Sequence, residues 1–388
     1  MENRNAMRDF QLRDCCPLII FKSEYMFVRA ILDLQKKAPG VMEVIGQVAL
    51  PQLALIAYET SLWLERWSSE KLYSDFAELS KKRQLFKYFD DTKYTVDEFD
   101  QHCSDVLDCS RRMFKRNAGD LSFLQKDAGI YLLDGIEVGS TFTAFRYLYD
   151  DLLDEGGTVD YDGIKQKAGQ VGFLIGQHTA SLVGIMECFD VDDFVLDYTI
   201  PVLLASPHDF YYSNIKRVIT SDGSDALSNG LLVILADAYY SLGLVKVFYA
   251  RGIIDRLVAT KFSLIALQHL KSAIDKVLAF SHKKGSKPLL SFRFEQCLAG
   301  LFDRKEKTLL RKCEPLRNTL VHYELPRDTD VSGSTLAEIA ESIFDAMTFG
   351  SEQSWSELSE SIICLGSDIR ERLGELVGMK VWEDKELN

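Results

Sequence analysis

A mainly α-helical fold is what this sequence predicts, and three observations predict it. Prolines are few, eight in 388 residues, and none occurs between Pro51 and Pro201. A proline inside a helix removes a hydrogen bond and clashes with the preceding turn, so a long proline-free stretch suits long helices. Apolar residues recur at the three- and four-residue spacing of a helical face. Alternating apolar and polar segments closed by Asn-Gly or Asp-Gly turns, the mark of β-hairpins, are nearly absent. Apolar residues make up 47% of the chain, enough to bury a substantial core.

Taken along the chain, the N-terminus MENRNAMRDFQLRDCCPLII carries charges throughout and lacks the apolar segment and small-residue cleavage site of a secretory signal. In FKSEYMFVRAILDLQ, Tyr25, Val28, Leu32 and Leu34 mark one broad helical face. Gly172, Gly176, Ala180 and Gly184 lie four apart and stack on one side of a helix. Small residues let a second helix approach closely, and tight packing within the molecule is the expectation there. The longest apolar run, GLLVILADAYYSLGLV at 230–245, is interrupted by Asp237 and falls short of the roughly 20 residues that cross a bilayer. It reads as a buried helix, and no membrane partner is expected.

Loop signals fall at 154–163, 206–214, 220–230, 281–288 and 326–334. The length accommodates two ordinary domains or one large one. A soft boundary near 205–225 separates a helical domain over 1–205, of regulatory or recognition character, from a helical bundle over 206–388 that ends in acidic helices. The bundle reads as helices at about 226–250, 253–281, 289–303 and 305–325, followed by one or two more. In 255–280, the residues Leu257, Phe262, Leu264, Ile265, Leu267, Leu270, Ile274, Val277 and Leu278 supply the inward face.

Eight cysteines are scattered, and the two close pairs, Cys15–Cys16 and Cys103–Cys109, lack metal-ligand spacing. His102 beside Cys103 has no further ligands in sequence. Free thiols in a reducing cytoplasm, with no metal and no cofactor, are the expectation. The net charge of −13 argues against a protein that coats nucleic acid everywhere, but the charge is divided. Residues 1–200 hold 22 Lys/Arg and 33 Asp/Glu, residues 250–327 hold 16 and 7, and residues 328–388 hold 4 and 14. The middle block, at +9, is a cationic island that either attracts phosphate backbones or pairs with the acidic N-terminal half.

Inside that island lies PLRNTLVHYELP, residues 315–326. Pro315 suits the first turn of a helix, where its missing N–H costs nothing, and Pro326 cannot continue one. Leu316, Leu320 and Tyr323 share the inward face. Asn318 and His322, four apart, share another, and Arg317 stands about 140° round from His322. A histidine moves protons near neutral pH, an arginine holds a phosphate bidentately and offsets transition-state charge, and an asparagine orients either. Together they suit cleavage of RNA through its own 2′-hydroxyl. One helix offers one histidine where an acid and a base are both needed, so a symmetric dimer is expected to supply the second.

RNTLVH resembles the R-x(4–6)-H motif of HEPN domains, in the form with a polar residue directly after the arginine. The resemblance covers about residues 226–350 and says nothing of 1–200. It implies an α-helical bundle and a metal-independent endoribonuclease of toxin–antitoxin, abortive-infection or CRISPR-type defence systems, with two protomers forming a composite site. Arg317 would then bind phosphate, His322 transfer protons and Asn318 assist. Lys283, Lys284, Lys287, Arg311 and Lys312 of the cationic island are the candidate RNA-binding residues, and an antitoxin or regulatory protein is a candidate partner. Some toxins of the family carry a tyrosine two residues after the histidine, which the antitoxin modifies. Here Tyr323 follows immediately and position 324 is Glu, a departure that speaks against such control.

Two other readings stand beside this one. Asp150, Asp151 and Asp154 form a DDxxD array that can hold magnesium against a diphosphate, as in helical prenyl-diphosphate enzymes, although no second array accompanies it. A non-enzymatic scaffold would share the fold and bind a protein through its acidic half. Of the other histidines, His269 is expected to be packed or half-buried and His282 to sit in a basic loop, where a solvated position is favoured over contact with RNA.

Overall fold

The computed structural model describes residues 12–37, 39–68, 76–84, 95–115, 128–153, 159–160, 163–188, 205–210, 228–283, 290 and 292–376. Helices dominate, as the proline distribution predicts. A 3-10 turn at Leu12–Cys15 leads into α1 (Cys16–Lys37), α2 (Pro39–Val48), α3 (Leu50–Ser68), α4 (Phe76–Gln84) and α5 (Val96–Lys115). Two strands, β1 (Ala128–Leu133) and β2 (Ile136–Ser140), precede short helices α6 (Thr141–Arg146) and α7 (Tyr149–Leu152) and the long α8 (Ile164–Cys188). After β3 (Ala205–Phe210) come α9 (Ser228–Ala250), α10 (Arg256–Lys283), α11 (Phe292–Gly300), α12 (Arg304–Lys312), α13 (Glu314–His322), α14 (Leu336–Ala346) and α15 (Trp355–Leu376).

The apolar run is buried, as expected. Helix α9 is long and apolar enough to cross a membrane, yet 89% of its most apolar window lies inside the fold. It packs against α5, α10, α15 and strand β2. At Gly243 the approach is so close that a Cβ would strike the carbonyl oxygen of Glu137 on β2. Asp237, the charge that interrupts the run, is buried and paired with buried Arg146 of α6. One hydrophobic core takes residues from Cys16 of α1 to Leu373 of α15, so the described parts of 1–205 and 206–388 share it.

The three strands form one antiparallel sheet in the order β2-β1-β3. The β1–β2 hairpin was hidden in LLDGIEV, an Asp-Gly turn that the sequence reading passes over. Asp134 and Gly135 both adopt positive φ, 52° and 76°, the backbone a tight hairpin requires. Residues 206–210, read as loop, are strand β3. The segment 220–230 mostly lies outside the described residues, with its end in α9.

Three further expectations change. Leu32 is 46% exposed, because the buried stripe of α1 runs through Ile20, Phe21, Glu24, Phe27, Ile31 and Leu34 instead. Gly172, Gly176, Ala180 and Gly184 face outward, and a Cβ on any of the three glycines would meet nothing within 4 Å; α8 packs on α3 through other positions. The helix expected over 305–325 is two helices. Asp303 caps α12 reciprocally with Glu306, and α12 ends at Cys313, where the chain turns into α13. Pro315 is the physical reason: its ring clashes with the carbonyl four residues back and it offers no N–H to continue the ladder.

Helix α13 then ends abruptly. Tyr323 adopts the left-handed conformation, φ 59°, which normally falls to glycine or asparagine and costs a tyrosine about 1–2 kcal/mol. Burial holds it there. Its side chain is fully buried, edge-on to Phe21 at 4.6 Å. Its hydroxyl donates to Glu24 Oε2 at 2.7 Å, and Lys261 Nζ stands 4.7 Å over its ring. Glu24 Oε1 in turn accepts from Lys261 Nζ at 2.5 Å. Burial pushes the Glu24 carboxyl up, and Lys261 opposes that shift. Burial also raises the Tyr323 hydroxyl well above its ordinary value, which keeps it a donor. Lys261→Met would strand Glu24, and a loss of about 3–5 kcal/mol in urea unfolding is expected. Adding Glu24→Leu to it should recover part of that loss: the pair is then removed whole, but the buried Tyr323 hydroxyl loses its acceptor.

Candidate functional site

Helix α13 turns Leu316, Thr319, Leu320 and Val321 inward against its neighbours α3 and α10. That leaves Arg317 half-buried and Asn318 and His322 exposed. Leu316, Leu320 and Tyr323 are buried, the inward face read from the sequence. Arg317 lies against Asn318: its Nη2 and Nε donate to Asn318 Oδ1 at 2.7 and 3.2 Å. The asparagine thus orients the guanidinium.

His322 turns to a different partner. Its Nδ1 lies 3.1 Å from Oε2 of Glu59, a carboxylate on α3 that is only 2% exposed while the histidine side chain is 48% exposed. Glu59 Oε1 meets the Arg83 guanidinium of α4 at 2.7 Å. That contact is a close ion pair and not an aligned hydrogen bond. Arg83 also stands 5.0 Å over the ring of Tyr58.

Arg317 opens onto a cavity of about 550 Å³ between α10, α12 and α13. Lys271, Arg304, Lys307 and Arg311 line it with Arg317, against one acid, Glu314. Lys271 also pairs with Asp275 at 2.8 Å and Lys307 Nζ donates to the carbonyl of Ala299 at 3.3 Å. Among the described residues Arg304 and Arg311 take part in no salt bridge. A concave surface with five cations and one carboxylate favours anions carrying several charges. Arg311 is thus brought to the cavity as a substrate-binding candidate, while Lys312 is exposed and outside its lining. Lys283 ends α10, with its side chain outside the described residues, as are Lys284 and Lys287 entirely. His322 does not line the cavity.

The cationic island is thus divided. Lys261 pairs with Glu24 and Arg251 with Asp134, both partners from the N-terminal half. The α12 cations face solvent and the cavity. His282 lies at the end of α10, not in a loop, and meets Glu295 at 3.0 Å. His269 is half-buried, as expected. His178 is buried with its Nδ1 2.9 Å from Ser61 Oγ.

Of the aspartate array, Asp150 and Asp151 lie on α7, Asp151 is paired with Lys82 of α4, and Asp154 falls outside the described residues. Among the described residues no group of three His, Cys, Asp or Glu side chains is placed to hold a metal. Cys15, Cys16, Cys103, Cys109, Cys297, Cys313 and Cys364 are free.

Glu59, Arg83, Lys271, Arg304 and Lys307 escaped the sequence reading. Arg304, Lys307 and Arg311 carry a legible signal, since spacings of three and four put them on one helical face. Glu59 carries a weaker one, a lone carboxylate within the apolar run LALIAYETSLWL. Comparison with models of protein families, with curated protein sequences and with solved structures gave no match.

Replacing Arg304 and Lys307 together with alanine should lower the affinity of the cavity for a polyanion, with a single-stranded RNA oligonucleotide as the probe. It should also flatten the plot of log affinity against log salt by about 0.7 for each phosphate that the protein no longer neutralises. Fluorescence anisotropy across a salt series measures both.

Proposed function

We propose that this chain is a HEPN-like, metal-independent endoribonuclease acting as a homodimer, of the kind used in toxin or anti-phage defence. The observation that carries the reading is that Arg317 of the motif opens onto the cation-lined cavity between α10, α12 and α13. An RNA strand would lay its phosphates along Lys271, Arg304, Lys307 and Arg311 and present one of them to Arg317. The Arg317 fork, steadied by Asn318, would hold the nonbridging oxygens and offset the charge of the pentacoordinate phosphorus.

The chemistry needs no metal. The 2′-oxygen attacks the neighbouring phosphorus, its proton passes to a base, and the P–O5′ bond breaks as an acid protonates the departing oxygen. The products are a 2′,3′-cyclic phosphate and a 5′-hydroxyl end. His322 does not line the cavity, so the strand would have to run past the end of α13 to bring its reacting atoms to this histidine, which then suits either proton transfer. The second copy of His322, across a twofold axis, would take the other role. The magnesium-dependent alternative is weaker, because the Asp151 carboxylate is engaged by Lys82.

Incubation of the full chain with mixed RNA in EDTA tests the proposal. The wild type should cleave, and His322→Ala and Arg317→Ala should each lose about 10²-fold or more of the rate, with cyclic-phosphate ends detected by mass spectrometry. Cleavage that requires magnesium and survives both changes would refute it. No cleavage by any form, with RNA still bound, would point to a scaffold.

A further inference from the structure

We infer that Glu59, clamped by Arg83, is the positioning residue for His322 and makes Nε2 the atom through which that histidine exchanges protons. The inference takes its chemistry from the ribonuclease reading, but its geometry stands apart from it.

A carboxylate only accepts hydrogen bonds. With Glu59 Oε2 at 3.1 Å, Nδ1 of His322 must therefore carry the hydrogen. The neutral ring then has its lone pair at Nε2, and the protonated ring carries its mobile proton there. The outer edge of a half-exposed imidazole is thereby prepared for either role, while its inner edge is tied down. The anchor is itself anchored: Glu59 Oε1 lies 2.7 Å from Arg83, which supplies the opposite charge that a buried carboxylate needs. The neighbouring buried carboxylate, Glu24, is committed elsewhere, to Lys261 and Tyr323. The two acids have separate cations and separate tasks.

Histidine orientation by a buried carboxylate is the arrangement that fixes tautomer in general acid–base sites. Here it also gives the N-terminal half a part in the site. Glu59 and Arg83 belong to α3 and α4, and the hydrogen bond that Glu59 accepts spans 263 residues of chain.

The arrangement makes a specific prediction for Glu59→Gln. Arg83 has only donors to offer, so it will hold the amide oxygen and leave the amide nitrogen facing His322. Nδ1 must then accept, and the ring flips to the Nε2–H tautomer. Nitrogen-15 spectra of the full chain labelled at histidine, with His322 assigned by difference against His322→Gln, read the tautomer directly. The wild type should show Nδ1–H and Glu59→Gln should show Nε2–H. In the cleavage assay kcat should fall by about 10²-fold or more with KM unchanged. Adding Arg83→Met frees the amide oxygen to face His322, and this double variant should regain the Nδ1–H form and part of the lost kcat.

An Nε2–H ring at His322 in the wild type overturns the inference with no variant of Glu59 or Arg83 having to fold. So does a Glu59→Gln spectrum and kcat that match the wild type. A wild type that shows Nδ1–H, flips with Glu59→Gln and yet cleaves no RNA leaves the positioning intact and sinks the ribonuclease. A His322-dependent ribonuclease whose ring ignores Glu59 does the reverse.

Discussion

The ion pair between Glu24 and Lys261, capped by the Tyr323 hydroxyl, is the constraint on which the rest of the molecule depends. Both charged side chains are fully buried, in the middle of otherwise apolar stripes on α1 and α10. Burying two charges costs several kcal/mol each, and their attraction roughly offsets this only when geometry and further hydrogen bonds are good. The pair therefore adds little net stability. What it does is forbid alternatives: a slip of α1 along α10 would leave one charge unpaired in the core. Tyr323 brings the end of α13 into the same arrangement, so three helices from distant parts of the chain share one register.

That register explains how a short surface helix comes to carry a defined array of polar groups. With its C-terminal end pinned by Tyr323 and its start fixed at the Cys313–Pro315 break, α13 has little freedom to rotate. Arg317 faces the cations of α12 and α10, and His322 faces α3. The inward leucines only say which side is buried; the two ends decide which polar residue meets which neighbour. The acidic N-terminal half contributes twice over, with Glu24 beneath the helix and Glu59 beside it. The cations left outward on α12 pair with no acid of that half among the described residues.

Much of this architecture was legible in the sequence. Sparse proline, helical apolar spacing in 255–280 and the apolar run of α9 announced the helices, and Pro315 and Pro326 bracketed α13. The Asp134-Gly135 hairpin was legible too, but its strands are short and one carries Glu137 inward, where it meets Arg370 and Tyr239; an inward charge disguises a strand's alternation. The small-residue stripe of α8 misled because spacing shows which residues share a side of a helix, not whether that side is covered. In the candidate site, the motif residues were visible because they are close in sequence. Glu59 and Arg83 were not, because the property that matters, adjacency to His322, is created only by α3 lying against α13. Glu24 and Lys261 each broke an apolar pattern, and a pair of such breaks is a signal for mutual burial that single-residue reading cannot join.

The left-handed tyrosine has one more consequence, for the length of the segment before it. Motifs of the R-x(4–6)-H type vary in the number of residues between arginine and histidine. In this chain the far end is held at Tyr323, so a residue gained or lost between 317 and 322 displaces Arg317 and the Cys313–Pro315 break before it. Each such change turns Arg317 by about 100° and shifts it by about 1.5 Å along the axis. One step swings it away from the α12 cations, toward solvent or into the leucine seam. For this protein four intervening residues is a length set by the anchor, and natural variation in it would have to be accompanied by change at position 323.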